Sequence, residues 1–87
     1  MTEEVIGEIF EYFAKINVAA AKLFDELRVG DTITIKGTTT HFTQRVSSMQ
    51  SQHAPLTTAH AGDSVGIKVE QRVRKGDKIY LAAPEDL

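Results

Sequence analysis

Three times within about fifty residues the chain repeats one short pattern: VGDTITI at 29–35, AGDSVGI at 61–67 and KGDKIYL at 75–81. Each copy reads glycine, aspartate, any residue, a branched aliphatic, any residue, then isoleucine or leucine. Glycine reaches positive φ without a steric cost, so Gly30, Gly62 and Gly76 suit tight turns. Asp31, Asp63 and Asp77 can accept hydrogen bonds from the backbone of the same turns. Aliphatic residues two apart point to one side of a strand. Ile33 with Ile35, Val65 with Ile67, and Ile79 with Leu81 are therefore expected to face a single core. Three turn-then-strand units in so short a span predict a closed or nearly closed antiparallel sheet.

The rest of the chain fits that plan with one difficulty. Residues 39–50 form a further strand candidate, with Phe42 and Val46 on one face and Gln44 between them. Met49 is out of phase, which a bend near Ser47 and Ser48 would repair. Residues 51–62 read as a connection, with Leu56 tucked under the barrel and Pro55 lacking a backbone donor. The difficulty is the first 27 residues. Ile6, Ile9, Phe10, Phe13, Ile16, Ala20, Leu23 and Phe24 fall close to helical spacing. Gly7 weakens a helix there, and the stretch also divides into two apolar strands, roughly 4–13 and 16–23. Local pattern leaves a helix packed on a smaller sheet and a strand hairpin both open.

The totals bound the function. The 87 residues make one domain, with a core at about 4–81 and a short disordered tail at 82–87. There is no cysteine to supply a disulfide, a thiolate nucleophile or a zinc ligand. The N-terminus is acidic, with no basic stretch ahead of an apolar run, and no apolar run spans a bilayer. The reading is a cytoplasmic protein with no membrane partner. The net charge of −2 disfavours strong non-specific binding to nucleic acid, but the charge is unevenly placed. Residues 32–81 carry seven bases against three acids. Arg45, Lys68, Arg72, Arg74, Lys75 and Lys78 are the candidate RNA- or partner-binding residues, since basic side chains on one side of an extended stretch suit phosphate contacts.

Catalytic and metal chemistry find little support. His41, His53 and His60 are too widely spaced for the close pairs of a metal site, so no metal and no cofactor are expected. Glu3, Glu4, Glu8 and Glu11 read as a solvated strand edge, and acid–base work needs two carboxyls in distinct environments. The early aromatics Phe10, Tyr12, Phe13 and Phe24 are assigned to the core, as is Phe42.

Taken in order, Ile6-Gly7, Val29-Gly30-Asp31, Val46-Ser47-Ser48-Met49, Ala59 to Ile67, and Val73 to Asp77 resemble the second domain of translational GTPases such as EF-Tu. The match covers roughly residues 4–81. The resemblance implies that 4–23 is a strand hairpin and that the fold is all-β: a small six-stranded closed antiparallel Greek-key barrel of the translation-protein type. It implies a non-enzymatic binding module for tRNA or the ribosome. The alternative is a module that docks a GTPase-like or other protein partner. No nucleotide is expected, because the sequence has no G-x-x-x-x-G-K-[ST] loop. The base-reading Asn-Lys-x-Asp motif is also missing, as the single asparagine, Asn17, is followed by Val18. A comparable barrel also forms the C-terminal part of some collagenase-like peptidases, though the sequence shows no peptidase portion.

Overall fold

The stretch that spacing left open is a β-hairpin. In the computed structural model, which describes residues 4–52 and 54–82, β1 (Glu4–Phe13) pairs antiparallel with β2 (Val18–Leu23). The helical rhythm of the sequence has a clear origin. The register of β1 shifts between Val5 and Gly7 against its partner on one side, and between Ile9 and Glu11 on the other. Each bulge inserts one residue and reverses the inside–outside alternation. Ile6 and Ile9 are buried and Tyr12 packs against the core, so the inward positions recur every third residue. A twice-bulged strand thus imitates a helix. Gly7 lies where a side chain would meet the Lys22 carbonyl at 3.0 Å and the Leu23 side chain at 3.1 Å, and its bare backbone lets the two strands close.

The remaining strands are β3 (Leu27–Arg28), β4 (Thr32–Lys36), β5 (His41–Arg45), β6 (Met49–Ser51), β7 (Ala54–Leu56), β8 (Thr58–Ala59), β9 (Ser64–Lys68) and β10 (Lys78–Leu81). Eight strands form one sheet in the order β5-β4-β10-β1-β2-β9-β6-β7, and β3 pairs with β8 in a separate ribbon. Every pairing is antiparallel, and no helix occurs among the described residues. Residues 51–62, read from sequence as a connection, instead supply the end of β6, β7 and β8. Pro55 sits in β7 at the sheet edge, where a missing donor costs no ladder bond.

The three Gly-Asp motifs build one turn three times. Gly30, Gly62 and Gly76 have φ of 101°, 93° and 95°. In each turn the aspartate N–H donates to the carbonyl three residues back, at Arg28, His60 and Arg74, over 3.0 to 3.1 Å. The aspartate carboxylate then accepts the N–H of that same residue, at 2.9 Å in all three. Each turn is closed twice and delivers the chain into β4, β9 or β10 in fixed phase. Ile33, Ile35, Val65, Ile67 and Ile79 are buried in one core, and Leu81 packs against it. The β3–β8 ribbon adds Leu27 and Ala59.

Two expectations require correction. First, the sheet is an open eight-stranded half-barrel and not a closed six-stranded barrel. The anticipated strand at 39–50 breaks at 46–48, and its halves pair at opposite reaches of the sheet, β5 on β4 and β6 on β9. The break is held from both sides. Val46 exchanges backbone hydrogen bonds with Gly30 and Asp31, and the Lys68 N–H donates to Ser48 at 3.2 Å. Where the ladder stops, the Gln44 side chain takes over. Only 4% exposed, it donates from Nε2 to the Lys68 carbonyl at 2.9 Å and to the Arg45 carbonyl at 3.2 Å. Its Oε1 accepts the Glu70 N–H at 2.8 Å. Second, the aromatics divide. Phe42 is buried and Tyr12 partly so, but Phe10, Phe13 and Phe24 lie on the surface. A one-sided strand has inward places for only half its residues, and Ile6 and Ile9 occupy them. Ala82, expected in the disordered tail, is held to the sheet, its N–H donating to the Thr32 carbonyl at 3.0 Å. The rest of the expected tail, 83–87, lies outside the described residues, as does His53.

Two substitutions test these attachments. Gln44→Ala strands a carbonyl and an N–H beneath the surface, so chemical denaturation should show a loss of about 2–3 kcal/mol. Gln44→Met, which keeps the volume, should still cost at least ~1 kcal/mol, because the stranded groups are the same. At the turns, Asp77 is 4% exposed while Asp31 and Asp63 are half-buried. Asp77→Ala should therefore lower stability by about 1–2 kcal/mol, and more than the same change at Asp31 or Asp63.

Candidate functional site

The basic residues singled out from sequence sit on several elements. Arg45 faces Thr32 at one end of β4, and Lys78 faces Lys36 at the other, about 13 Å apart along the strand. Lys68 closes β9 opposite Val18. Arg72, Arg74 and Lys75 are exposed on the crossing from β9 to β10, between the buried anchors Val69 and Val73 and the last turn. Lys78 is shared with an acid, its Nζ 3.9 Å from Glu8. Lys36 stands over the Tyr80 ring at 5.0 Å. Positive charge is thus spread over several elements and partly compensated. Among the described residues, no three His, Cys, Asp or Glu side chains come together to hold a metal ion.

An apolar concave feature of the surface lies elsewhere, on the outward face of β1, β2, β9 and β6. The second bulge of β1 turns Phe10 outward, and Phe13 follows it on that side, opposite Val18. The hairpin reverses through 14–17, where the Ile16 N–H donates to the Phe13 carbonyl at 3.2 Å and Asn17 takes φ 56°. Asparagine accepts that left-handed conformation readily. Phe10, Phe13 and Ile16 are left 44%, 47% and 55% exposed. Beside them the sheet is shaved down to small residues, because Ala20 pairs with Gly66 and Gly66 with Gln50. A side chain at Gly66 would meet Val18 Cγ1 at 3.0 Å. The far wall is the β6–β7 hairpin, carrying Gln50, Ser51 and Gln52.

These walls enclose a cleft of about 400 Å³. That is within the range of roughly 300–1,000 Å³ typical of ligand pockets. Among the described residues its lining holds aromatic and aliphatic side chains, two primary amides and two serine hydroxyls, and no titratable group. The Ser51 hydroxyl donates to the Ser64 carbonyl at 3.4 Å. The described lining offers apolar packing on one side and amide hydrogen bonding on the other. Sequence reasoning missed this surface by assigning Phe10 and Phe13 to the core. A signal was present, since β1 carries Val5, Ile6, Ile9, Phe10, Tyr12 and Phe13, more large apolar residues than one face can bury.

Comparison with known proteins places this fold and sequence in new company. No family model matches the chain. Over 77 residues it is 40% identical to an uncharacterized protease of Methanocaldococcus jannaschii, which covers 87% of this chain and 19% of that protein. It is 32% identical over 77 residues to a collagenase of Porphyromonas gingivalis, covering 86% of this chain and 21% of that one. The chain therefore spans about a fifth of the length of these relatives. Among solved structures, the C-terminal domain of a Geobacillus thermoleovorans protein provisionally assigned as a U32 peptidase superposes with a TM-score of 0.86 at 20% identity. That match covers 92% of this chain and 93% of the domain. Its selenomethionine form gives a TM-score of 0.83 at 22% identity, covering 87% and 96%. The structural likeness establishes the fold. These findings overturn the resemblance to the second domain of translation factors, and with it the expectation of an RNA-binding, tRNA- or ribosome-directed module. The shared pieces were Gly-Asp turns and core strands, which a barrel-like sheet needs for stability whatever it binds. The similarity runs instead to the C-terminal domain of U32-type, collagenase-like peptidases.

Proposed function

We propose that this chain is a non-catalytic accessory domain of a U32-type peptidase, and that it holds polypeptide substrate while another part of the peptidase cuts. The observation that carries this reading is the 40% identity to a protease over nearly all of this chain but only 19% of the protease. Such a match leaves four-fifths of the relative to supply the chemistry. The character of the cleft supports it: apolar walls and amides suit a peptide, and the described lining residues include no general acid or base. The name collagenase, given to the Porphyromonas relative, points to collagen, whose chains are extended polyproline II helices.

The 87-residue chain incubated with fluorescein-labelled gelatin should release no small fragments, and it should be retained on immobilised gelatin. Hydrolysis by the chain alone would overturn the non-catalytic reading. Passage through the gelatin column at low salt would overturn the substrate-holding one.

A further inference from the structure

Resting on that reading, we infer that the cleft beside Phe10, Phe13 and Ile16 binds an extended, proline-rich segment of substrate in the polyproline II conformation. Such a helix has no internal hydrogen bonds, so its carbonyls need outside donors, and its rigidity lowers the entropy cost of docking. Aromatic-lined grooves are the usual receptors for it. Here Phe10 and Phe13 offer faces for pyrrolidine rings, and Gln50 and Gln52 place amides on the opposite wall. The amide nitrogens can donate to the segment's carbonyls and the amide oxygens can accept from the N–H of its non-proline residues.

Three features decide against other occupants. The cleft lies on the outward face of strands already paired on both sides, so a peptide cannot add to the sheet as a further strand, and recognition falls to side chains. Among the described residues no charged group lines it, so an acidic or basic segment would lose hydration without a partner there. The floor is kept low by Gly66 and Ala20, which leaves room for about one polyproline II turn, roughly 9 Å of chain. Gln52 holds φ 52°, the left-handed conformation a two-residue hairpin loop between Ser51 and Ala54 calls for.

Position agrees with this role. In the Geobacillus protein the matching domain is C-terminal, so the remainder of that protein enters at the end equivalent to Glu4. Phe13 lies at the far end of the ten-residue β1, roughly 25–30 Å away along the strand. The cleft therefore lies away from the point where the chain enters the domain.

The test uses a fluorescein-labelled peptide of three Gly-Pro-Pro repeats, read by anisotropy. The wild-type chain should bind it, and Phe13→Ala with Ile16→Ala should weaken binding tenfold or more. Ala20→Arg, which fills the cleft from its floor, should do the same without touching the aromatic wall. Arg72→Ala with Lys75→Ala should leave affinity within twofold. Thermal melting checks that each variant is folded. Binding unchanged in both the Phe13/Ile16 variant and the Ala20 variant would overturn the assignment of the cleft. Retention on gelatin without binding of the repeat peptide would overturn the polyproline II occupant and leave the accessory-domain reading standing. Failure to bind either probe would overturn both.

Discussion

The Gln44 amide spans a place where neighbouring segments meet without a backbone ladder. Two of its three hydrogen bonds join β5 to the end of β9 and the stretch just beyond it, and the third is to the carbonyl of the next residue, Arg45. A backbone pairing there would need 41–51 to remain one strand, and the chain breaks at 46–48 to reach two partners. A hydrophobic residue at position 44 would pack against Phe42 and Val46 but leave the Lys68 carbonyl and the Glu70 N–H unpaired. A buried polar group without a partner costs more than a hydrogen bond contributes, so the amide is the side chain this seam requires. Its effect extends along the sequence. Fixing Glu70 fixes the start of the crossing to β10, Val73 then drops into the core, and the turn at Arg74–Asp77 sets the phase of β10. From there the Gly76 N–H and the Asp77 carbonyl both bond to Ile9 of β1. One side chain at the edge thus constrains the strand at the centre of the sheet.

The bulges in β1 connect this frame to the candidate site. Without them a ten-residue strand would alternate strictly, and Ile6, Phe10 and Tyr12 would share a face. With them, Ile6, Ile9 and Tyr12 turn inward while Phe10 and Phe13 turn outward. Bulges also increase local twist, which helps β1 curve between β10 and β2. A single device therefore bends the sheet around its core and puts aromatic rings on its outer surface. Exposing them sacrifices no core packing, because the inward places are filled by aliphatic residues on nearly every strand.

What the sequence disclosed follows from the range of the forces involved. The Gly-Asp turns were legible because the turn, its cap and the strand after it are all encoded within seven residues. The inward placement of Ile33, Ile35, Val65, Ile67 and Ile79 followed from strand periodicity alone. The bend near Ser47 was visible because Met49 fell out of phase with Phe42 and Val46. The open seam was not legible, since it rests on a bond between residues 44 and 70 that no local pattern announces. Bulges hid β1 by producing a helix-like spacing, and they misdirected Phe10 and Phe13 into the core. The basic residues were found by counting charge along the sequence, and only the pairing shows Arg45 on β5 and Lys78 on β10 beside opposite ends of β4. The functional resemblance failed for a related reason: the repeated turns record what holds the sheet together, whereas binding resides in outward side chains that vary without disturbing it.

The size of the cleft sets the strength of what it can hold. Phe10, Phe13 and Ile16 are each about half exposed, so covering them contributes about 1 kcal/mol apiece. Two amide hydrogen bonds add ~1 kcal/mol each. The sum, near 5 kcal/mol before the cost of immobilising the segment, corresponds to a dissociation constant no tighter than about 0.1–1 mM for one short segment. Weak single-site binding suits a domain that must release its substrate as cutting proceeds. A long chain with many equivalent segments compensates, because each released segment has neighbours at high local concentration and retention falls slowly with distance along the chain. Gelatin should therefore be held more strongly than the nine-residue peptide at the same molar concentration of chains. A partner protein docked once through a single complementary surface would show no such dependence on length, and titration against gelatin fragments of graded size separates the two.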